Sequence, residues 1–138
     1  VPSFSPRHRA RIELMSASDN VLRGGLTNKK VDVKELMRIL EIKGREVEKA
    51  PMLIGRSGRL HVLTPTEEFH LMVLKSGTYH INERRSIELV FVTEGQAVFQ
   101  SDAEKRTLEK GSCHVIAASL SSYTLEVEGT LFIADVPR

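Results

Sequence analysis

Between Ser18 and Lys29 the chain reads Ser-Asp-Asn-Val-Leu-Arg-Gly-Gly-Leu-Thr-Asn-Lys, with polar and basic groups gathered around a glycine pair and no hydrophobic period. Glycine lets a backbone approach a ligand closely or take positive φ. Arg23 supplies a planar fork that can hold two oxygens of one group, and Lys29 a mobile point charge. Together they suit a phosphate-bearing ligand. Asp19 and Asn20 are residue types that also fix turns through side-chain-to-backbone bonds, so a ligand contact and a turn role both stay open for them.

The elements that would position this loop follow from the patterning around it. Residues 1–10 carry two prolines and read as an extended lead-in, and Arg11–Ser16 alternates enough for a short strand. After the loop, Asp32 can cap a helix with Glu35 at the reciprocal position and Val31 stapled onto Leu36. The spacing predicts a helix over Val33–Ile42, ended by Gly44, with Leu36, Met37, Ile39 and Leu40 facing a core.

From Pro51 onward short alternating segments are separated by turn residues. Strands are predicted at 60–63, 68–75, 87–93, 97–101, 112–117, 124–127 and 130–136, with turns at Glu94-Gly95, Ser101-Asp102, Lys110-Gly111 and Glu128-Gly129. In the segment from Ile87, one face holds Ile87, Leu89 and Phe91, the other Glu88, Val90 and Val92; Glu88 reads as solvent-facing. Tyr123, Leu125 and Val127 form another apolar face. Many short strands at this spacing point to a mainly β fold, an antiparallel sandwich or barrel with one short α-helix ahead of it.

Composition narrows the function classes. A chain of 138 residues can bury roughly two-thirds of its unfolded surface in one domain. The net charge of +2 and the dispersed basic residues do not suit nucleic-acid binding. Its apolar runs are too short to span a bilayer, and no leader pattern opens the chain, so no membrane partner is expected. A single cysteine, Cys113, excludes an internal disulfide and suits a cytoplasmic setting. Cys113 has no base-orienting third group near it in sequence, and His61 and His70 stand among Val, Leu and Met as packing residues.

Two resemblances sharpen the reading. The strand half looks like a cupin, a small jelly-roll barrel: Glu88-x6-Gly95 fits the end of the first cupin motif and Gly111-x2-His114 fits the second. The paired His-x-His of that first motif is missing, and Asn82-Glu83-Arg84-Arg85 stands in its place. Glu88 and His114, with His80 as a poor substitute, fall short of the three or four ligands a cupin metal needs, so no metal is expected within this chain. The loop at 18–29 closely resembles the S-D-N-x-x-R-x-G-L-T-P-K signature of type I mannose-6-phosphate isomerases, departing only where Asn28 replaces the Pro.

What this resemblance implies is the last third of a longer enzyme. Residues 1–45 would hold the end of an upstream cupin, the signature loop and a linking helix; residues 46–138 would form a C-terminal cupin-like β-barrel worn of its ligands. The implied activity is zinc-dependent interconversion of mannose 6-phosphate and fructose 6-phosphate, with zinc held mostly upstream. In that family a later His ligand follows a Pro shortly before the signature; here Ser3 follows Pro2, and His8 lies several residues past that spacing. The resemblance makes Arg23 catalytic and puts Lys29, Asn20 and Asp19 in contact with the sugar phosphate. It makes the upstream metal-binding cupin the partner and leaves this chain alone inactive. Two rivals remain: a stand-alone degenerate cupin that binds a sugar phosphate or a partner without catalysis, and a cupin isomerase or epimerase acting on another hexose.

Overall fold

Period-two alternation carries most of the chain beyond Pro51 into one antiparallel sheet. The structure is a computed structural model, and it describes residues 12–15, 22–23, 28–44, 46, 49–55, 57–82 and 86–136. The chain divides into two units, Val1–Arg45 and Glu46–Arg138. Among the described residues there is no helix long and apolar enough to cross a membrane.

The first unit contains helix α1, Val33–Ile39. Asp32 caps it as its pattern predicts, its carboxylate accepting from the Glu35 N–H at 3.0 Å. Glu35 in turn is engaged by Arg38, whose Nε donates to its Oε2 at 2.7 Å. The helix ends three residues earlier than the spacing suggests, because Leu40 turns to extended backbone well before Gly44. None of its residues is buried, so Met37, Ile39 and Leu40 are exposed rather than core-facing. Residues 12–15 carry no strand.

The second unit holds strands β1 Met52–Ile54, β2 Leu60–Val62, β3 His70–Ile81, β4 Glu88–Gln100, β5 Lys105–Glu109, β6 Cys113–Ile116 and β7 Tyr123–Asp135. Their order is β1-β2-β3-β7-β4-β5, with β6 also on β4. β5 pairs with the end of β4 at Gln96–Gln100, and β6 with its start at Glu88–Phe91, so both share one edge of that strand. The architecture is cupin-like and mainly antiparallel β, as expected. The barrel does not close: no described pairing joins β5 or β6 to β1, β2 or β3.

Glu94-Gly95 and Glu128-Gly129, read from sequence as turns, are instead creases inside continuous strands. Gly95 and Gly129 pair across β4 and β7, both at positive φ (69° and 120°). A Cβ on Gly95 would lie 1.8 Å from the Glu128 carbonyl oxygen, and one on Gly129 2.1 Å from that of Glu94. Only glycine fits either place. β3 breaks register at the same level, between Lys75 and Gly77. The bulges leave ladder groups unpaired, and side chains take them up. Tyr79 Oη donates to the Lys75 carbonyl at 2.9 Å, Ser76 Oγ accepts from the Gly129 N–H at 2.9 Å, and Thr93 Oγ1 donates to the Thr130 carbonyl at 2.9 Å.

The crease divides the sheet into two halves. The first comprises β1, β2, β6 and the stretches His70–Lys75, Thr130–Asp135 and Glu88–Val92; the second comprises β5 with the remainders of the long strands. Their inner faces share one core: Met72, Leu74, Val90, Leu131 and Ile133 from the first, Ile81, Phe99, Leu108, Tyr123 and Leu125 from the second. Phe99 and Tyr123 pack ring on ring at 5.2 Å.

Gly95→Ala should therefore destabilise the second unit by about 2 kcal/mol or more, beyond the usual strain of a non-glycine at positive φ, since backbone must move. Urea unfolding followed by circular dichroism measures it. A loss under about 0.5 kcal/mol would show that the crease tolerates a side chain.

Candidate functional site

One end of the first half-sheet gathers Glu88, Asp135 and His70 on the core face. Period two puts Glu88 in phase with Val90 and Val92, all three buried, while Ile87 and Leu89 are exposed. The sequence expectation of a solvent-facing Glu88 is thus reversed. Register sets Asp135 beside both Glu88 and His70. Two carboxylates directly opposite each other are unfavourable unless each finds a partner. Tyr123 Oη, from the second half-sheet, donates to Glu88 Oε2 at 2.7 Å. His70 Nδ1 stands 3.2 Å from Asp135 Oδ1, an ion-pair distance that lacks hydrogen-bond alignment.

His61 lies one row inward, opposite Met72. Burial and then the charge of Arg59 hold its imidazole below the usual range, with His70 adding to this and Asp135 opposing it. His114 is on the same face, across from Val90, and its Nε2 is 2.9 Å from Ser112 Oγ. A cleft of about 410 Å³ opens between the edges of β5 and β6, lined by Phe99, Arg106, Leu108, His114, Ile116 and Leu120. A smaller polar hollow of about 170 Å³ lies at His80, Asn82, Gln100, Asp102 and Thr124.

These groups do not fit a zinc ion. Glu88 is taken by Tyr123, His114 stands beside Ser112, and register offsets the two by two residues. His80 is on the outer face, its Nδ1 3.2 Å from Thr124 Oγ1, so it cannot join them. Among the described residues, no three His, Cys, Asp or Glu side chains are placed to hold a metal. Cys113 is exposed on the outer face, opposite Phe91. Sequence reasoning singled out Glu88 and His114 but missed Asp135, Tyr123 and the partnership of His70; the in-phase spacing of His70 with Met72 and Leu74 was the available signal.

Of the loop residues, Arg23 is half-buried and Lys29 is exposed. Asp19 and Asn20 lie outside the described residues, as does His8.

Two measurements probe this end of the sheet. Tyr123→Phe removes a donor from a buried carboxylate and should cost about 1–3 kcal/mol of unfolding free energy; an unchanged urea midpoint would mean Glu88 does not need that hydroxyl. The second concerns pH. His61 has a folded pKa below the unfolded value of about 6.5, so the unfolded state takes up the proton first. The stability is present above that value and is lost as pH falls through it toward the lower folded pKa. The thermal midpoint should fall between about pH 7.5 and pH 5, and His61→Gln should flatten part of that fall. Parallel profiles for the two proteins would exclude His61 as a source.

Comparison with known proteins places this geometry. The profile "Mannose-6-phosphate isomerase, cupin domain" matches residues 64–136. The mannose-6-phosphate isomerase of Salmonella typhimurium is 30% identical over 127 residues, an alignment covering 87% of this chain and 31% of that protein. A crystal structure of a mutant phosphomannose isomerase from the same organism superposes with a TM-score of 0.72 at 25% identity, over 89% of this chain and 32% of that one. A zinc-bound mannose 6-phosphate isomerase structure gives 0.70 at 25% identity, over 87% and 31%. The chain spans about a third of the length of the relatives it matches.

Proposed function

The chain belongs to the mannose-6-phosphate isomerase family, and we propose that it is the C-terminal part of a longer zinc-dependent enzyme interconverting mannose 6-phosphate and fructose 6-phosphate. The observation that carries this reading is the Ser18–Lys29 string, standing in a chain whose residues 64–136 match the family's cupin domain. Residues 1–45 then close an upstream cupin and bear the substrate loop, while residues 46–138 are a cupin-like unit without a metal.

In this reading a proton moves between C1 and C2 of the sugar through an enediol-like intermediate. Arg23 faces the negative charge that develops on the sugar oxygens, a charge its guanidinium meets without titrating. Lys29, Asn20 and Asp19 grip the sugar phosphate. The ion belongs to the upstream domain, consistent with a donor set here that does not fit it. A cytoplasmic location goes with this proposal. The committed state of Glu88 and His114 favours one alternative for the chain taken alone, a degenerate cupin that binds without catalysis.

Kinetics of the longer enzyme separate the roles of Arg23. Arg23→Ala should lower kcat by roughly 10²-fold or more with little change in KM, as for a lost oxyanion donor. A rise in KM at normal kcat would make Arg23 a phosphate grip instead, and near-normal values of both would remove it from the site. The 138-residue chain alone should show no isomerase activity.

A further inference from the structure

The inner face of the second unit can be reached at its open seam. No described pairing joins β5 or β6 to β1, β2 or β3, and the cleft of about 410 Å³ lies along the edges of β5 and β6. That volume is in the range of small-molecule sites, which form preferentially in the mouths of β-barrels. Its floor is apolar: Phe99, Leu108 and Ile116 belong to the core cluster, and Leu120 packs against it.

Two nitrogen-bearing side chains line the same cleft, both on the inner face by register. Arg106 is in phase with Leu108 and opposite Phe99, and His114 is in phase with Ile116 and opposite Val90. A guanidinium carries five N–H donors. Among the described residues Arg106 meets only Glu104, through Nη2 at 3.4 Å, and both side chains are more than half exposed. Such a pair is weak, so the fork remains open to a second anion.

The hydrogen bonds around His114 fix its tautomer. Ser112 Oγ lies 2.5 Å from the Glu109 carbonyl, which can only accept, so the hydroxyl proton is committed there. Ser112 Oγ therefore accepts at its other contact, and His114 Nε2, 2.9 Å away, is the donor. In the neutral ring this leaves Nδ1 an acceptor, and among the described residues no hydrogen bond reaches it. The turn before His114 is tied to β4: the Gly111 N–H donates to the Val92 carbonyl at 2.8 Å, and the Val92 N–H to the Ser112 carbonyl at 3.2 Å. The acceptor is thus held in place before any ligand arrives.

Fork, lone pair and floor ask one molecule for an anion, a hydroxyl and a hydrocarbon body. We propose that the cleft binds a small hydroxylated carboxylate with an apolar body, its carboxylate on Arg106 and its hydroxyl donating to His114 Nδ1. A single negative charge suits the place better than a phosphate, whose second charge would meet the Glu104 carboxylate that also lines the cleft. The inference uses residues of the second unit only and does not rest on the reading of the loop at 18–29.

Calorimetric titration of the whole 138-residue chain with 3-phenyllactate tests it. Saturable binding should appear with a dissociation constant of about 1 mM or tighter. Arg106→Gln should weaken it about tenfold or more, and Arg106→Lys, which keeps the charge without the fork, by less than Arg106→Gln does. Lys105→Gln removes the same charge from the outer face of the same strand and should change it less than about twofold. 3-Phenylpropanoate, which lacks the hydroxyl, should bind about fivefold more weakly, and the two acids should bind alike to His114→Phe. No saturable binding up to about 10 mM overturns the proposal. So does equal weakening by Lys105→Gln and Arg106→Gln, which would reduce the effect to net charge. Arg106→Gln that binds normally but self-associates would make Arg106 a guard of the β5 edge, and overturns it too. A hydroxyl preference that survives in His114→Phe overturns the role given to Nδ1.

Discussion

Backbone meets backbone where Gly95 faces Gly129, and the second unit takes its shape from that approach. A side chain at either position would drive β4 and β7 apart at mid-length, since the opposing carbonyl occupies the space a Cβ needs. With both absent the strands bend together. β3 follows through its own bulge at Lys75–Gly77, on the far side of β7. A flat sheet would have spread its apolar inner residues over a single exposed surface; creased, it sets Leu74 and Leu131 in one cluster with Leu125 and Phe99. Burial of such side chains contributes on the order of 2 kcal/mol each, so the crease is what makes the core possible.

The same crease brings Tyr123 across to Glu88. A carboxylate inside a core needs donors, because desolvating it without them costs several kcal/mol. Tyr123 meets that need with a group that can lie flat in apolar surroundings and still present a hydroxyl. Once so bound, Glu88 is a structural acid rather than a metal ligand. With Glu88 so held, no three metal donors come together among the described residues.

Period-two alternation made the sheet legible, and it placed Tyr123, Leu125 and Val127 on one buried face. It also separated the two faces of β4 correctly while misjudging Glu88, because a glutamate looks exposed until Tyr123, 35 positions away, is brought to it. The glycine creases were misread for a local reason. Positive φ at a glycine is common to tight turns and to bulges inside strands, and only the partner strand distinguishes them. β1 and β5 escaped notice because the first, Met52-Leu53-Ile54, shows no alternation of polar and apolar side chains and the second carries Leu108 as its one apolar side chain. Residue types alone carry the reading of the loop at 18–29; of its site residues the structure describes Arg23 and Lys29, and Asp19 and Asn20 lie outside the described residues.

A cupin can lose its ligands and keep its fold because the two draw on different residues. The crease depends on Gly95 and Gly129 and on the side chains that satisfy its bulges; the core depends on aliphatic and aromatic groups. No His, Cys, Asp or Glu belongs to the crease pair or to the core cluster. Glu88, buried, is held by a tyrosine, and His114, half-buried, stands beside a serine. On the outer side of this sheet, polarity changes at the crease, from residues suited to water in one half to an unbroken apolar face in the other.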